Sequence, residues 1–169
     1  MSDQDFRFQG KAFVFGDSVN TDAIIHANFL SVSDEKILAA HCMAGISPDF
    51  PSRVGKGDIL VTGSNFGCGS SREQAPMAIK GCGIACIVAK SCSRLFYRNA
   101  INIGLPVVIA DGGQIKDGAN IAVDCVTGKI LLSESNAEIA GAPLPEFMLE
   151  ILRAGGLNGY LKKRIGVVG

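Results

Sequence analysis

Two hydroxyls and a guanidinium stand side by side at Ser70, Ser71 and Arg72, at the end of a glycine-rich loop in residues 61–76, VTGSNFGCGSSREQAP. Ile59, Leu60 and Val61 make a short apolar run suited to a buried strand, and glycines punctuate the loop that follows. A helix is predicted to start near Ser70 or Ser71. Its N-terminus would carry roughly half a positive charge and orphan N–H donors, and Arg72 adds a donor fork that matches a carboxylate or phosphate. The chemistry that this spacing supports is carboxylate binding and stabilisation of a negative oxygen. The plainer alternative is a tight turn with a serine N-cap and an Arg72–Glu73 surface pair.

Better-known glycine loops do not match. A P-loop requires Gly-Lys-Ser/Thr, whereas Gly69 is followed by Ser70. The dinucleotide fingerprint places a third glycine where Arg72 stands, and no G-x-S-x-G nucleophile elbow is present.

Asn65-Phe66-Gly67-Cys68-Gly69-Ser70-Ser71-Arg72-Glu73, followed by Ala75-Pro76, resembles the signature of the swivelling domain of the aconitase superfamily. More narrowly, it is similar to the small-subunit family of 3-isopropylmalate dehydratase and homoaconitase. Further blocks extend the likeness in order: Gly16-Asp17 with Thr21-Asp22-Ala23-Ile24-Ile25, Ala89-Lys90-Ser91 with Arg94-Leu95-Phe96-Tyr97-Arg98-Asn99, and Asn102-Ile103-Gly104-Leu105-Pro106.

The resemblance implies an α/β fold: one swivelling β/β/α domain over residues 1–169, with a mostly parallel central sheet and a smaller antiparallel sheet. It also implies a heteromeric hydro-lyase that isomerises a substituted malate by dehydration and rehydration. The [4Fe–4S] cluster is then held by cysteines of a large partner subunit, in a heterodimer or heterotetramer, and this chain binds no cofactor or metal. By match to the motif, Ser70 is the base, acting as an alkoxide. Arg72 grips a substrate carboxylate, and Ser71 bonds a carboxylate or orders the loop. Thr21 and Asp22 lie beside the site, with Asp22 bonding the loop serines or the substrate.

Phe29, Leu30, Ser31 and Val32 fall in the family's substrate-specificity loop. Homoaconitase-type subunits carry an arginine after the aromatic–Leu pair, where this chain has Ser31 and Val32. A buried distal carboxylate without a counter-ion costs several kcal/mol, so an aliphatic side group is expected. 3-Isopropylmalate is the first expectation, 2,3-dimethylmalate a rival and homoaconitate third. Two positions depart from the family pattern: His26 where proline is common, and Gln74 where histidine is common.

Composition narrows the classes. Lys plus Arg and Asp plus Glu number 16 each, so no net field recruits nucleic acid or an anionic membrane. The 47% hydrophobic content against 19% charged residues is rich for a small domain and points to a partner chain, while no apolar run approaches the roughly 20 residues of a membrane span. The acidic, polar start does not read as a secretory signal, so a cytoplasmic protein is expected. Cys42, Cys68, Cys82, Cys86, Cys92 and Cys125 are scattered without C-x-x-C pairs and read as reduced thiols, with a metal site at Cys82, Cys86 and Cys92 a minor alternative. Two rival functions remain open on the residues: a hydrolase using Cys68 or Ser70, for which the available bases are His26 and His41, and a non-catalytic carboxylate-binding module.

The elements that must position the site follow from periodicity. Residues 6–15 read as a first strand ending at Gly16-Asp17-Ser18, and Asn20-Thr21-Asp22 as an Asx-turn or helix cap. Residues 34–43 read as a short helix capped by Ser33, and 45–57 as a connecting loop. Residues 73–79 form the helix after the central loop. Strand 84–89, helix 91–101 and strand 106–110 continue a parallel α/β alternation. Beyond Gly112, Ile115, Ala119, residues 121–123 and residues 130–132 suggest short antiparallel strands, with Thr127-Gly128 as a turn. Residues 143–153 form an amphipathic helix with Phe147, Ile151 and Leu152 on one side. Residues 157–163 form a last turn or short helix.

Overall fold

In the computed structural model, which describes residues 6–166, the fold hangs on β1, Arg7–Val14. Its two ends pair differently: Arg7 to Lys11 run antiparallel to β5 (Asn120–Asp124), and Ala12 to Val14 run parallel to β2 (Ile59–Thr62). β3 (Cys86–Ala89) and β4 (Val107–Ile109) extend the parallel side, and β6 (Lys129–Leu132) and β7 (Glu138–Ala140) the antiparallel side. The result is a seven-stranded sheet in the order β4-β3-β2-β1-β5-β6-β7. The mostly parallel and antiparallel parts implied by the resemblance are thus joined through β1. The sheet also curls: Ala142 N, just past β7, donates to Ile109 O of β4 at 2.8 Å, although these strands are the two ends of the order.

Strand composition explains which part is covered. β2 and β3 are buried at every position, as continuous apolar runs in a parallel sheet should be, whereas β5 alternates between buried and more exposed residues. Successive residues of the parallel strands feed opposite faces. Phe13, Leu60, Ile87 and Val107 join one core, packed under α1 (Thr21–Ile24), α2 (Glu35–Ala40), α3 (Phe50–Arg53), α4 (Gln74–Gly81) and α5 (Arg94–Asn102). Ile59, Val61, Val88 and Val108 join the other, with Ile121 and Ile130 of the curled side and Leu149 and Leu152 of α6 (Glu146–Arg153). α7 (Leu157–Arg164) closes the described chain and packs on α6 and α5.

Several local expectations need correction. α4 begins at Gln74 and not at Ser70 or Ser71, because positive φ at Gly69 (92°) and the hydrogen bonds of Arg72 hold residues 70–72 outside the helix. Asp34, not Ser33, caps α2, its carboxylate accepting from Lys36 N at 2.8 Å. The loop 45–57 contains α3, whose first turn accepts Pro51, a residue pre-set for that position. Ile115 and Ala119 lie in turns, while β7 was not anticipated. In α6 the buried pair is Leu149 and Leu152, and Phe147 points to solvent, since Pro145 sets the first turn and fixes the helix phase.

A packing constraint on the central loop by a buried ring is at Gly67. Its φ is +71°, and a Cβ there would sit 2.4 Å from Cγ of Phe96, a buried ring that packs edge-on against Phe66 at 5.1 Å. Over-packing costs about 1–3 kcal/mol and the left-handed conformation about 1–2 kcal/mol for a residue with a Cβ. Gly67→Ala is therefore expected to lower the melting temperature by roughly 5–15 °C, using about 2–4 °C per kcal/mol for a chain of this size. A wild-type melt for this variant would mean that the Phe96 contact does not constrain the loop.

Candidate active site

The central loop leaves the C-terminal end of β2 and is stitched to both neighbouring strand ends. Ser64 N donates to Asp17 Oδ1 at 2.6 Å beyond β1, and Asn65 N donates to Ser91 Oγ at 2.7 Å beyond β3. Phe66 N donates to Ser91 O and Ser93 N to Phe66 O, while Gly67 N donates to Val19 O and Thr21 N to Cys68 O. After these anchors the pairing stops. The backbone N–H groups of residues 68–72 find no acceptor among the described residues. Five consecutive free amides, three of them on exposed residues, are donors available to an anion. The donors therefore come from the loop itself, and not from the helix start expected at Ser70.

Beyond Gly69 the chain alternates. Residues 70, 72 and 74 each bond to the segment that follows β1. Thr21 Oγ1 donates to Ser70 O at 2.9 Å, Arg72 Nη1 donates to Asp22 Oδ1 at 2.8 Å and to Ile25 O at 2.9 Å, and Gln74 Nε2 donates to Leu30 O at 2.7 Å. Ser71 turns the other way, where Asn99 Nδ2 of α5 reaches its Oγ at a long 3.4 Å. Ser70 and Ser71 are exposed, and the Ser70 hydroxyl has no partner among the described residues.

Arg72 is the buried member, its side chain 10% exposed. With Nη1 committed to Asp22 and Ile25, its Nε is buried without a partner, a donor whose desolvation costs about 1–3 kcal/mol. The Arg72 guanidinium holds the Asp22 carboxyl below the usual carboxylate range. Asn20 supports the same turn: its side chain accepts from Ala23 N at 2.8 Å and caps α1, so the cap reading of Asn20-Thr21-Asp22 and the site reading hold together.

The segment expected to set specificity is a 3-10 turn, Ala27–Phe29, continued by residues 30–33. Phe29 is half-buried and stacks on His41 with ring centroids 4.4 Å apart. Leu30 is 47% exposed, Ser31 is exposed with no hydrogen bond among the described residues, and Val32 is half-buried against the core. Thr21, Asp22, Ser70 and Arg72 are thus brought into direct contact, Ser71 lies on the far side of the loop, and the Phe29–Val32 wall reaches the loop through Gln74. Asp17, Ser91, Asn99 and Gln74 hold the loop in place, yet the sequence reading gave them no role. The signal available for three of them was their place inside the blocks around residues 17, 91 and 99.

The histidines offer no base to a hydrolase. His26 is exposed, and its Nδ1 accepts from Asn28 N, while His41 is occupied with Phe29; neither bonds Cys68 or Ser70. The cysteines do not converge either. Cys42 lies against Cys82, and burial with that thiol pushes Cys42 up; Cys86 is pushed up by its contact with Cys125 and by burial; burial alone raises Cys92 to about 12. Among the described residues, no group of three or more His, Cys, Asp or Glu is placed to hold a metal ion. A cavity of about 210 Å³ lined by Asp17, Thr62, Lys90 and Asp111 lies below the loop, but Ser70, Ser71 and Arg72 do not line it. Ser70 and Ser71 are exposed, and Arg72 lies behind them.

The Asp22–Arg72 pair has a defined pH signature. The folded pKa of Asp22 is depressed below its unfolded value, near about 3.9, so the unfolded chain binds the proton first as pH falls. The pair's contribution is fully present above that unfolded value and is lost as pH drops through the folded one. The melting-temperature gap between wild type and Asp22→Asn is expected to hold constant above about pH 5 and to close at lower pH. A gap unchanged down to about pH 2 would place the effect elsewhere.

Comparison with known proteins gives this geometry a lineage. The aconitase C-terminal domain family matches residues 11–112. The 3-isopropylmalate dehydratase small subunit of Caldanaerobacter subterraneus subsp. tengcongensis is 50% identical over 161 residues, covering 93% of this chain and 99% of that protein. The methanogen homoaconitase small subunit of Methanocaldococcus jannaschii is 51% identical over 156 residues, covering 92% of each. The crystal structure of 3-isopropylmalate dehydratase (leuD) from Methanocaldococcus jannaschii superposes with a TM-score of 0.91 at 50% identity, over 95% of this chain and 96% of that one. The chain belongs to the aconitase C-terminal domain family, alongside small subunits of 3-isopropylmalate dehydratase and homoaconitase.

Proposed function

We propose that this chain is the small subunit of a heteromeric hydro-lyase that isomerises a substituted malate by dehydration and rehydration, with 3-isopropylmalate as substrate. The observation that carries this reading is the exposed Ser70 hydroxyl on a loop of five free amides, two residues from a guanidinium anchored by Asp22 and Ile25 O. The names of the relatives supply the reaction class, and the term small subunit implies a large one, in a heterodimer or heterotetramer. In this reading, as the family resemblance implies, a [4Fe–4S] cluster belongs to that large subunit. Six free cysteines suit the reducing cytoplasm, and no described helix is long and apolar enough to cross a membrane.

Ser70 acts as the base. Its Oγ takes the carbon-bound proton beside the departing hydroxyl, the C–H electron pair becomes the new alkene bond, and re-addition of water at the other carbon gives the isomeric hydroxy acid. A serine hydroxyl holds its proton far too tightly for this in water. In this reading the free amides of residues 68–72 and the Arg72 charge turn to the negative oxygen in the assembled site, since none of them bonds Ser70 Oγ in the lone chain. Arg72 orients a substrate carboxylate through the donors that Asp22 and Ile25 leave free, fixing the reacting carbon near Ser70. Ser71 hydrogen-bonds a carboxylate. Thr21 fixes the Ser70 backbone, and Phe29, Leu30, Ser31 and Val32 receive the side group. Residues 28–33 contain no cation, so a distal carboxylate would be desolvated unpaired, which favours an aliphatic group over homoaconitate.

Anaerobic reconstitution with the cognate large subunit, followed by ultraviolet absorbance on isopropylmaleate, dimethylmaleate and homoaconitate, tests this directly. Isopropylmaleate is expected to turn over fastest, with dimethylmaleate the nearest rival. Ser70→Ala should lower kcat by about 10²–10⁴-fold, the range for a lost general base. Wild-type turnover that survives this change moves the base to another residue. Arg72→Lys should lower kcat/KM by about 10–150-fold, since one ammonium replaces neither the fork nor both anchoring bonds, each charged hydrogen bond being worth about 1.5–3 kcal/mol. Equal rates for Arg72→Lys and wild type would remove Arg72 from the carboxylate clamp.

A further inference from the structure

Residues 28–33 make one hydrogen bond to groups outside residues 26–33 among the described residues, and it comes from Gln74. Their other bonds are local: Phe29 N to His26 O, Leu30 N to Ala27 O, Val32 N to Phe29 O, and Asn28 N to His26 Nδ1. Leu30 O, which accepts the Gln74 amide at 2.7 Å, receives no backbone N–H. Gln74 is also the first residue of α4, with its carbonyl and Cα set by the helix, and it stands two residues after Arg72. One end of this bond is therefore fixed relative to the carboxylate clamp, and the other holds the apolar turn. We propose that Gln74 is a positioning residue for substrate specificity, setting the distance between the Arg72 clamp and the Leu30 turn that receives the substrate's side group. This rests on the functional reading above for which substrate group meets that turn.

Glutamate tests the idea cleanly. Gln74→Glu keeps the size of the side chain but removes the donor and turns a carboxylate toward the Leu30 carbonyl. At the first position of α4 a negative charge favours the helix, so the substitution does not weaken the fold at that end. Gln74→Ala removes the contact without adding charge.

Two measurements decide it. In the reconstituted, cluster-loaded complex, the KM for isopropylmaleate is expected to rise about 2- to 10-fold in both variants, the range of one neutral hydrogen bond, with kcat changed less than about twofold. The KM for methylmaleate, whose smaller group reaches the turn less, should stay near wild type, so the discrimination ratio falls. In the lone chain, amide hydrogen exchange should quicken at Phe29, Leu30 and Val32 in Gln74→Glu while α4 keeps its protection. Equal KM changes for both substrates, or unchanged exchange at residues 29–32, overturns the role of Gln74. Absence of wild-type turnover on both substrates instead defeats the functional reading, and the specificity role falls with it.

Discussion

A guanidinium that is nine-tenths buried cannot be left unpaired, and the local architecture follows from how Arg72 is satisfied. Its Nη1 takes the Asp22 carboxylate and the Ile25 carbonyl, both on the turn after β1. That choice holds residues 70–72 outside α4, next to amides 68–72 that have no acceptor among the described residues. The Ser70 hydroxyl is left exposed, two residues from that charge. A helix that started at Ser70 would have left its own first-turn amides free; here the free donors are carried by the loop and begin two residues earlier, at Cys68.

The sheet makes that pairing possible. β1 and β2 are parallel neighbours, so the turn after β1 and the loop after β2 emerge at the same edge, where ligands of open parallel sheets sit. The Thr21–Cys68 and Gly67–Val19 backbone bonds continue this pairing past the strand ends. On the other side, Ser91 and Ser93 after β3 hold Asn65 and Phe66. The loop is thus clamped from two strands and opens only over residues 68–72. A surface so anchored, with exposed polar groups at Ser70 and Ser71 that do not line the neighbouring cavity, fits the proposal of a site completed by another subunit, as does the apolar-rich composition.

How much of this could be read from the residues differs by feature. The parallel strands were legible because Ile59, Ile87 and Val107 sit in unbroken apolar runs, which fully buried strands require. The helix start was not, because Ser70 and Ser71 are good caps by propensity, and a tertiary bond from Arg72 overrides that preference. Phe147 was misplaced because a helical stripe has two possible phases in eight residues, and hydrophobicity alone does not choose between them. Ser70, Arg72 and Asp22 were singled out by pattern, and the structure pairs Arg72 with Asp22, whereas Asn99 and Gln74 were not assigned, since their partners lie 28 and 44 residues away and contact is not encoded in local spacing.

Selectivity in such a site must come from a small region. In the proposed reaction, carboxylate gripping and proton removal are common to every substituted malate, so Ser70 and Arg72 in those roles would discriminate poorly between them. A side group is read where it leaves the shared skeleton, and a missing cation rejects a charged group more strongly than a pocket rejects one extra methylene, which costs only about 1–3 kcal/mol. In the proposed site the Phe29–Val32 turn would disfavour a charged group by its composition, whereas it confines size only weakly, because Leu30 is half exposed and Ser31 makes no bond among the described residues. Size selection among aliphatic groups would then depend on how rigidly the turn is held against Arg72.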